Sequence, residues 1–371
     1  MRRLVTKGVG LVILALFIIV SPVLAAHPDT NTEIENLKHR IEALEAETAG
    51  EEAEEPPFRL FSAGKHLTFS GLLELEASYN NIDGGDDSSD LSLATFEFST
   101  EVTVNDNLGG HVILLYEEED PDDETVKVDE AVIYLKSSSA FHGQTPAFYG
   151  GKLYVSFGKF NSGMISDPLT LELGETNDTA ALVALEGELW NLSFGVFNGG
   201  TDAAGDDNHI DSFVSVLEIT PIDNLSFGIS YISDLAESDN GLVADPALYT
   251  DSVAGASAFV SATFGQFGLD GEFLGALDDF DAALIGQPDV DLTGEKPTAW
   301  NLEISWMPVD DLQLAARYEQ ASDFQDDVTR YGITGSYGFF GGAVFALEYL
   351  HADPENDPDS DTLTAQLAFE F

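Results

Sequence analysis

From Leu67 to Phe371 the sequence alternates apolar and polar residues in runs of about ten, joined by connections that are short and long in turn. Leu67, Phe69, Leu73, Leu75, Ala77 and Tyr79 interleave with Thr68, Ser70, Glu74, Glu76 and Ser78. Trp300, Leu302, Ile304 and Trp306 do the same against Asn301, Glu303 and Ser305. Successive side chains of a strand point to opposite faces, so each run is a ribbon with one apolar and one polar side. A soluble sandwich alternates too, and the connections decide between the two. Those at 105–107, 187–188, 221–223, 265–266, 308–310 and 338–341 are tight. Those at 81–90, 117–124, 197–211, 233–251, 276–297 and 351–361 are long and acidic. Tight turns at one end and long loops at the other are the plan of an outer-membrane barrel. Only 136–147 departs from it, a long connection where a short one is due. The pattern predicts an all-β fold: a 16-stranded antiparallel transmembrane β-barrel filling residues 58–371.

Composition removes the main alternatives. Lys and Arg number 14 against 67 Asp and Glu, a net charge of −53, which excludes a nucleic-acid partner because phosphate binding needs a basic face. Such acidity also fits disorder, but 44% hydrophobic residues are too many for a chain that cannot collapse. Cysteine is absent, so disulfides, thiolate metal sites and a Cys nucleophile are excluded. The seven His lie at 27, 39, 66, 111, 142, 209 and 351, without the spacing of a zinc site. No phosphate loop or nucleophile elbow is present. The sequence therefore predicts no enzyme, no cofactor and no metal centre.

Residues 1–25 read as a cleaved signal peptide: Arg2, Arg3 and Lys7 precede an apolar run from Val9 to Val20, and Val23-Leu24-Ala25 is a small-residue cleavage site. In 26–57, Ile34, Leu37, Ile41 and Leu44 are spaced as a coiled-coil seam, predicting a short periplasmic α-helix and linker before Pro56-Pro57. It serves either as an oligomerisation or tethering helix, making a homo-oligomer one reading, or as a solvated spacer.

Sixteen strands enclose an aqueous channel, whereas eight are filled by side chains. The inward positions include Glu74, Glu97, Glu101, Lys152, Asp270, Glu272, Glu303, Arg317, Arg330, Thr334 and Gln366, which predicts a wet lumen. Lys152, Glu303, Arg317 and Arg330 are the lumen-facing charges expected to matter, the three cations as a track for an anionic solute. The third external loop, 161–175, reads NSGMISDPLTLELGE and is apolar where its fellows are acidic. Apolar surface seeks cover, and the cover available is the lumen, where Asp167, Glu172 and Glu175 become constriction carboxylates. Packing against neighbouring loops or at a subunit interface is the alternative.

Gly158-Lys159-Phe160, followed by SDPLTLELGET at 166–176, resembles the LbtU-like siderophore porin family. So does the order of signal, short coiled coil and sixteen strands ending in an aromatic. The resemblance implies passage of a ferric siderophore across the outer membrane without energy coupling, and carries over no ligand residues. A general or solute-specific diffusion porin and a structural protein tethered by its coiled coil remain as alternatives. Outer-membrane lipid and lipopolysaccharide are the expected surroundings. The acidic external loops, such as EEEDPDDE at 117–124, read as a solvated surface or as a divalent-cation bridge to that lipopolysaccharide.

Overall fold

The computed structural model describes residues 66–118, 125–201, 209–243, 249, 251–280, 295–324 and 327–371. The expected signal peptide and coiled-coil segment lie outside the described residues, as does most of the acidic run 117–124.

Sixteen strands follow one another: β1 (His66–Ile82), β2 (Ser88–Asn105), β3 (Leu108–Glu117), β4 (Lys127–Lys136), β5 (Thr145–Tyr154), β6 (Asn177–Glu186), β7 (Trp190–Phe197) and β8 (Ser212–Ile222). Then come β9 (Leu225–Ile232), β10 (Gly255–Phe264), β11 (Phe267–Ala276), β12 (Thr298–Val309), β13 (Leu312–Ser322), β14 (Val328–Phe339), β15 (Ala343–Pro354) and β16 (Ser360–Glu370). Each pairs antiparallel with its sequence neighbours, and β1 pairs with β16, so the sheet closes and no backbone edge faces lipid. A short α-helix, α1 (Leu169–Gly174), stands between β5 and β6.

The burial pattern is that of a soluble protein turned inside out. On β12, Leu302 and Ile304 are exposed while Asn301 and Glu303 are buried. On β13, Leu314 and Tyr318 are exposed while Arg317 and Glu319 are buried. The exposed apolar face is the one that meets lipid. Aromatics collect at the strand ends of this face, the level at which such rings settle. Trp306 stacks on Phe267 near the short turns. Towards the long loops, Trp300 lies by Tyr318, Tyr349 donates to Asp361 and Tyr79 to Asp87.

Two features depart from the sequence pattern. The first and last external connections are much shorter than anticipated, 83–87 and 355–359, because the strands keep pairing through their Ser, Thr and Asn residues beyond the apolar band. Asp87 then closes the first hairpin by accepting from both Tyr79 and Asn81. The irregular connection after β4 is real. It ends in a tight turn in which Phe141 and Gln144 exchange backbone hydrogen bonds, with His142 and Gly143 both at positive φ as a two-residue hairpin requires.

At the β1–β16 seam, Gly71 and Phe371 exchange two backbone hydrogen bonds, and the Phe371 ring covers Gly71 on the outer face. A Cβ at Gly71 would lie 2.4 Å from that ring. Gly71→Val should therefore weaken closure at the seam, read as a lower temperature of the folded-to-unfolded mobility shift on cold-loaded gels. Leu314→Arg places a cation mid-strand in lipid and should cost about 2–4 kcal/mol in vesicle unfolding.

Candidate functional site

The connection between β5 and β6 enters the barrel and lies along the inner faces of β9 to β15. Its stem is closed by Val155 N–H donating to the Thr176 carbonyl at 2.9 Å. Gly158, at φ +85°, turns the chain inward with its N–H on Ser230 Oγ at 3.0 Å. The next two amides, Lys159 and Phe160, converge on the two oxygens of Glu272 at 2.8 and 2.9 Å. Gly163 N–H and Ser162 Oγ take the two oxygens of Glu303 at 2.7 and 2.8 Å. Ile165 N–H reaches Glu348 at 2.5 Å, and Leu169 N–H, the first amide of α1, reaches Glu319 at 2.9 Å. Four inward carboxylates thus accept the loop's main chain, each through charge-assisted bonds that are stronger than neutral ones.

Arg317 fastens the other polarity. Its guanidinium donates to the carbonyls of Ser166 and Asp167 and to the hydroxyls of Ser162 and Ser166, at 2.8–3.1 Å, and lies 3.2 Å from Glu319. Side chains of Arg317 and Glu319 are 1% and 0% exposed. Glu172 of α1 pairs with Arg330 at 2.5 Å. The apolar residues that marked the loop in the sequence do what apolar residues do: Leu169 and Leu173 are fully buried in one cluster with Leu274 of β11. Gly174 lets α1 come that close, since a Cβ there would stand 2.2 Å from Leu274.

A second loop, between β9 and β10, folds over the first. Asn240 Nδ2 donates to the Leu173 carbonyl, Asp239 N–H to the Glu175 carbonyl and Thr176 Oγ1 to Ser238 Oγ, each at 2.8 Å. Leu235, Leu242, Tyr249 and Val253 from this loop join Phe157, Leu169, Leu173, Phe280 and Phe324 in the same dry cluster. The expectation of a wet lumen therefore holds for only part of it. Above β9–β13 the loop end of the barrel is a hydrophobic core.

The charges fall into different places from those the sequence pattern suggested. Glu303, Arg317 and Arg330 do face inward, but Glu303 and Arg317 lie under the third loop and Arg330 is tied to Glu172. Lys152 faces outward, because it pairs with Ala131 and Thr179 on the same side as Ile133 and Val183, and its ammonium donates to the Val128 carbonyl. Gly151, at φ +138°, sits on the inward position beside it. Thr334 is inward but not wet: it is 4% exposed and donates to Glu348. Asp167 and Glu175 are the loop carboxylates that border open space. Asp167 helps line a cavity of about 370 Å³ with Glu74, Glu76 and Glu117 from the opposite wall. Glu175 borders a larger one of about 1420 Å³ against the inner faces of β3 to β8. Burial pushes Glu175 up to about 7, with repulsion from Asp167, Asp239, Asp129 and Glu117 adding to it.

Of the four anchoring glutamates, the inward set read from the sequence holds Glu272 and Glu303, and it singles out neither Glu319 nor Glu348 nor the task all four share. Nothing in the alternation distinguishes an inward Glu that meets water, such as Glu97, from one that meets a loop amide.

A closed 16-stranded antiparallel barrel with an apolar outer band, tight turns at one end and a third loop inside defines the porin-like class of outer-membrane barrels. Solved porins share the fold. The OmpF of Salmonella typhi superposes with a TM-score of 0.64 at 11% identity, covering 85% of this chain and all of that one. An anion-selective porin from Comamonas acidovorans gives 0.61 at 10% identity, covering 83% of this chain and all of that one. By sequence, a UPF0422 protein of Coxiella burnetii is 27% identical over 308 residues, 77% of this chain and 64% of that protein. The chain thus spans just under two thirds of that relative's length. No protein-family profile matches the chain.

Arg317→Met leaves Glu319 as an uncompensated buried charge and strips four bonds from the loop. Breaking such a pair costs about 3–5 kcal/mol, and the loop should leave the wall. The expected reading is higher single-channel conductance with added current noise; conductance equal to that of the parent would show that the loop holds without this anchor.

Proposed function

We propose that the protein is an outer-membrane diffusion channel, and not an enzyme, whose lumen prefers cations and whose passage is narrowed by the third loop at Asp167 and Glu175. The observation that carries this is where the basic residues go. Beyond residue 65 the sequence has only seven: Lys127, Lys136, Lys152, Lys159, Lys296, Arg317 and Arg330. Six pair with a carboxylate: Glu117, Glu186, Glu218, Asp279, Glu319 and Glu172. The seventh, Lys152, faces outward. The wall opposite the loop presents Glu74, Glu76, Glu97 and Glu101 from β1 and β2, and the loop answers with Asp167. Both sides of the passage are negative, and fixed charge counts most where water is scarce.

The siderophore reading rests on the resemblance of the third-loop motif. In the structure those residues are anchors: Lys159 and Phe160 on Glu272, Ser166 on Arg317, Glu172 on Arg330. An acidic lumen favours a ferric complex that keeps a free ammonium over one with net negative charge. Uptake of labelled cationic and anionic ferric complexes into liposomes bearing the protein separates this reading from general cation diffusion. Equal uptake of both would remove charge as the basis of selection.

Reversal potentials across planar bilayers in a potassium chloride gradient should show cation preference. The double change Glu74→Gln and Asp167→Asn should reduce it with little change in conductance. Because Glu175 titrates near about 7, the preference should grow as pH rises from about 6 to 8, when its proton leaves and a negative charge is added to the passage. Glu175→Gln should flatten that rise.

A further inference from the structure

The larger cavity is walled by residues unlike those expected of a water-filled tube. Inward positions of a wide barrel meet water and are polar, as Glu74, Glu76, Glu97 and Glu101 are on the β1–β2 wall. On β6 they are not. Ala180, Leu182 and Ala184 point inward while Ala181, Val183 and Leu185 point to lipid, so this strand is apolar on both faces. The register has not slipped: Val183 is 56% exposed on the lipid side against 4% for Leu182, and Asp178 and Glu186 hold the inward phase at the two ends. The neighbouring strands agree, with Val132 inward on β4, Tyr149 and Leu153 on β5 and Val216 on β8. On the far wall the inward Leu274 is covered by α1. Here the cover is incomplete. Val132, Leu153 and Leu182 pack with Val155 and Phe157 of the loop stem, whereas Tyr149, Ala184, Val216 and the loop's Phe160 stay half-buried at the cavity.

The cavity runs from Tyr154 and Glu175 at the loop end of the barrel to Gln144 and Leu189 at the turn end. Between those ends its charges are matched within the protein: Lys136 with Glu186, Lys159 with Glu218, and His111 with Glu130. A charged solute would lose hydration there and find its partners taken. An uncharged solute with an apolar side loses little and gains burial of that side.

We propose that this chamber is a lane for uncharged amphipathic solutes, molecules with a ring or branched alkyl body and a neutral polar end, which rest the apolar side on Tyr149, Phe160, Ala184 and Val216. The proposal rests on the channel reading argued above and adds a second class of solute to it. The acidic passage beside β1 and β2 selects by charge and offers such molecules nothing.

Methyl and phenyl β-glucoside, both neutral and slow to cross lipid, differ in the aglycone alone and make the test. Liposomes bearing the full-length protein should swell faster in the phenyl than in the methyl glycoside, by about threefold or more, a small part of what burial of a whole ring supplies. A tube that sieves by size gives the opposite order. Val216→Thr with Ala184→Ser places hydroxyls on the apolar wall at little change in shape, and should bring the two rates level. Ala184→Trp extends into the free volume and should also remove the phenyl advantage, while the reversal potential in potassium chloride keeps its sign. Gel mobility confirms that each barrel is folded. Entry of the methyl glycoside as fast as the phenyl one in the parent would overturn the proposal. So would a phenyl advantage untouched in the variants. Absence of both potassium conductance and swelling would instead defeat the channel reading, and the two failures are distinct.

Discussion

Everything inside this barrel depends on one exchange: four inward carboxylates need donors, and the main chain of the third loop needs acceptors. A carboxylate facing a confined interior loses hydration that it must recover from protein. A loop that leaves the sheet carries backbone amides with no ladder to pair them. Glu272, Glu303, Glu319 and Glu348 settle both demands at once. With the loop so held, α1 can press Leu169 and Leu173 onto β11, the following loop can cover them, and the open passage is left between Asp167 and the wall of β1 and β2.

The barrel was legible in the sequence because period-two alternation and the short–long rhythm of connections are properties of the chain alone. The inward phase that alternation assigns to Glu303 and Arg330 is the phase the barrel has. Alternation fails at Lys152, where Gly151 takes the inward position and carries no side chain to reveal the register. The third loop betrayed itself by its apolar residues, which had to find cover. What alternation cannot show is depth under a loop, so Thr334 and Arg317 read as wet when both are sealed.

The scarcity of basic residues acts as a design rule. With so few cations past residue 65, each one placed in a structural bond is one fewer facing the passage. Arg317 is the only inward guanidinium among the described residues that is nearly inaccessible, and it serves the loop's carbonyls. On the channel reading proposed above, the sign of the lumen follows in part from how the loop is fixed, since Arg317 and Arg330 are both engaged by it.

The bracing of the third loop is one-sided. The wall from β9 to β15 is stitched to a loop and a hydrophobic core, whereas the inner faces of β3, β4 and β5 border the larger cavity through His111, Val132 and Leu153. An inward substitution therefore has two different fates. On the braced wall a larger side chain meets packed chain and must displace the loop; on the facing wall it meets free volume and is accommodated where it stands. Sequence freedom inside the barrel is thus divided along its circumference.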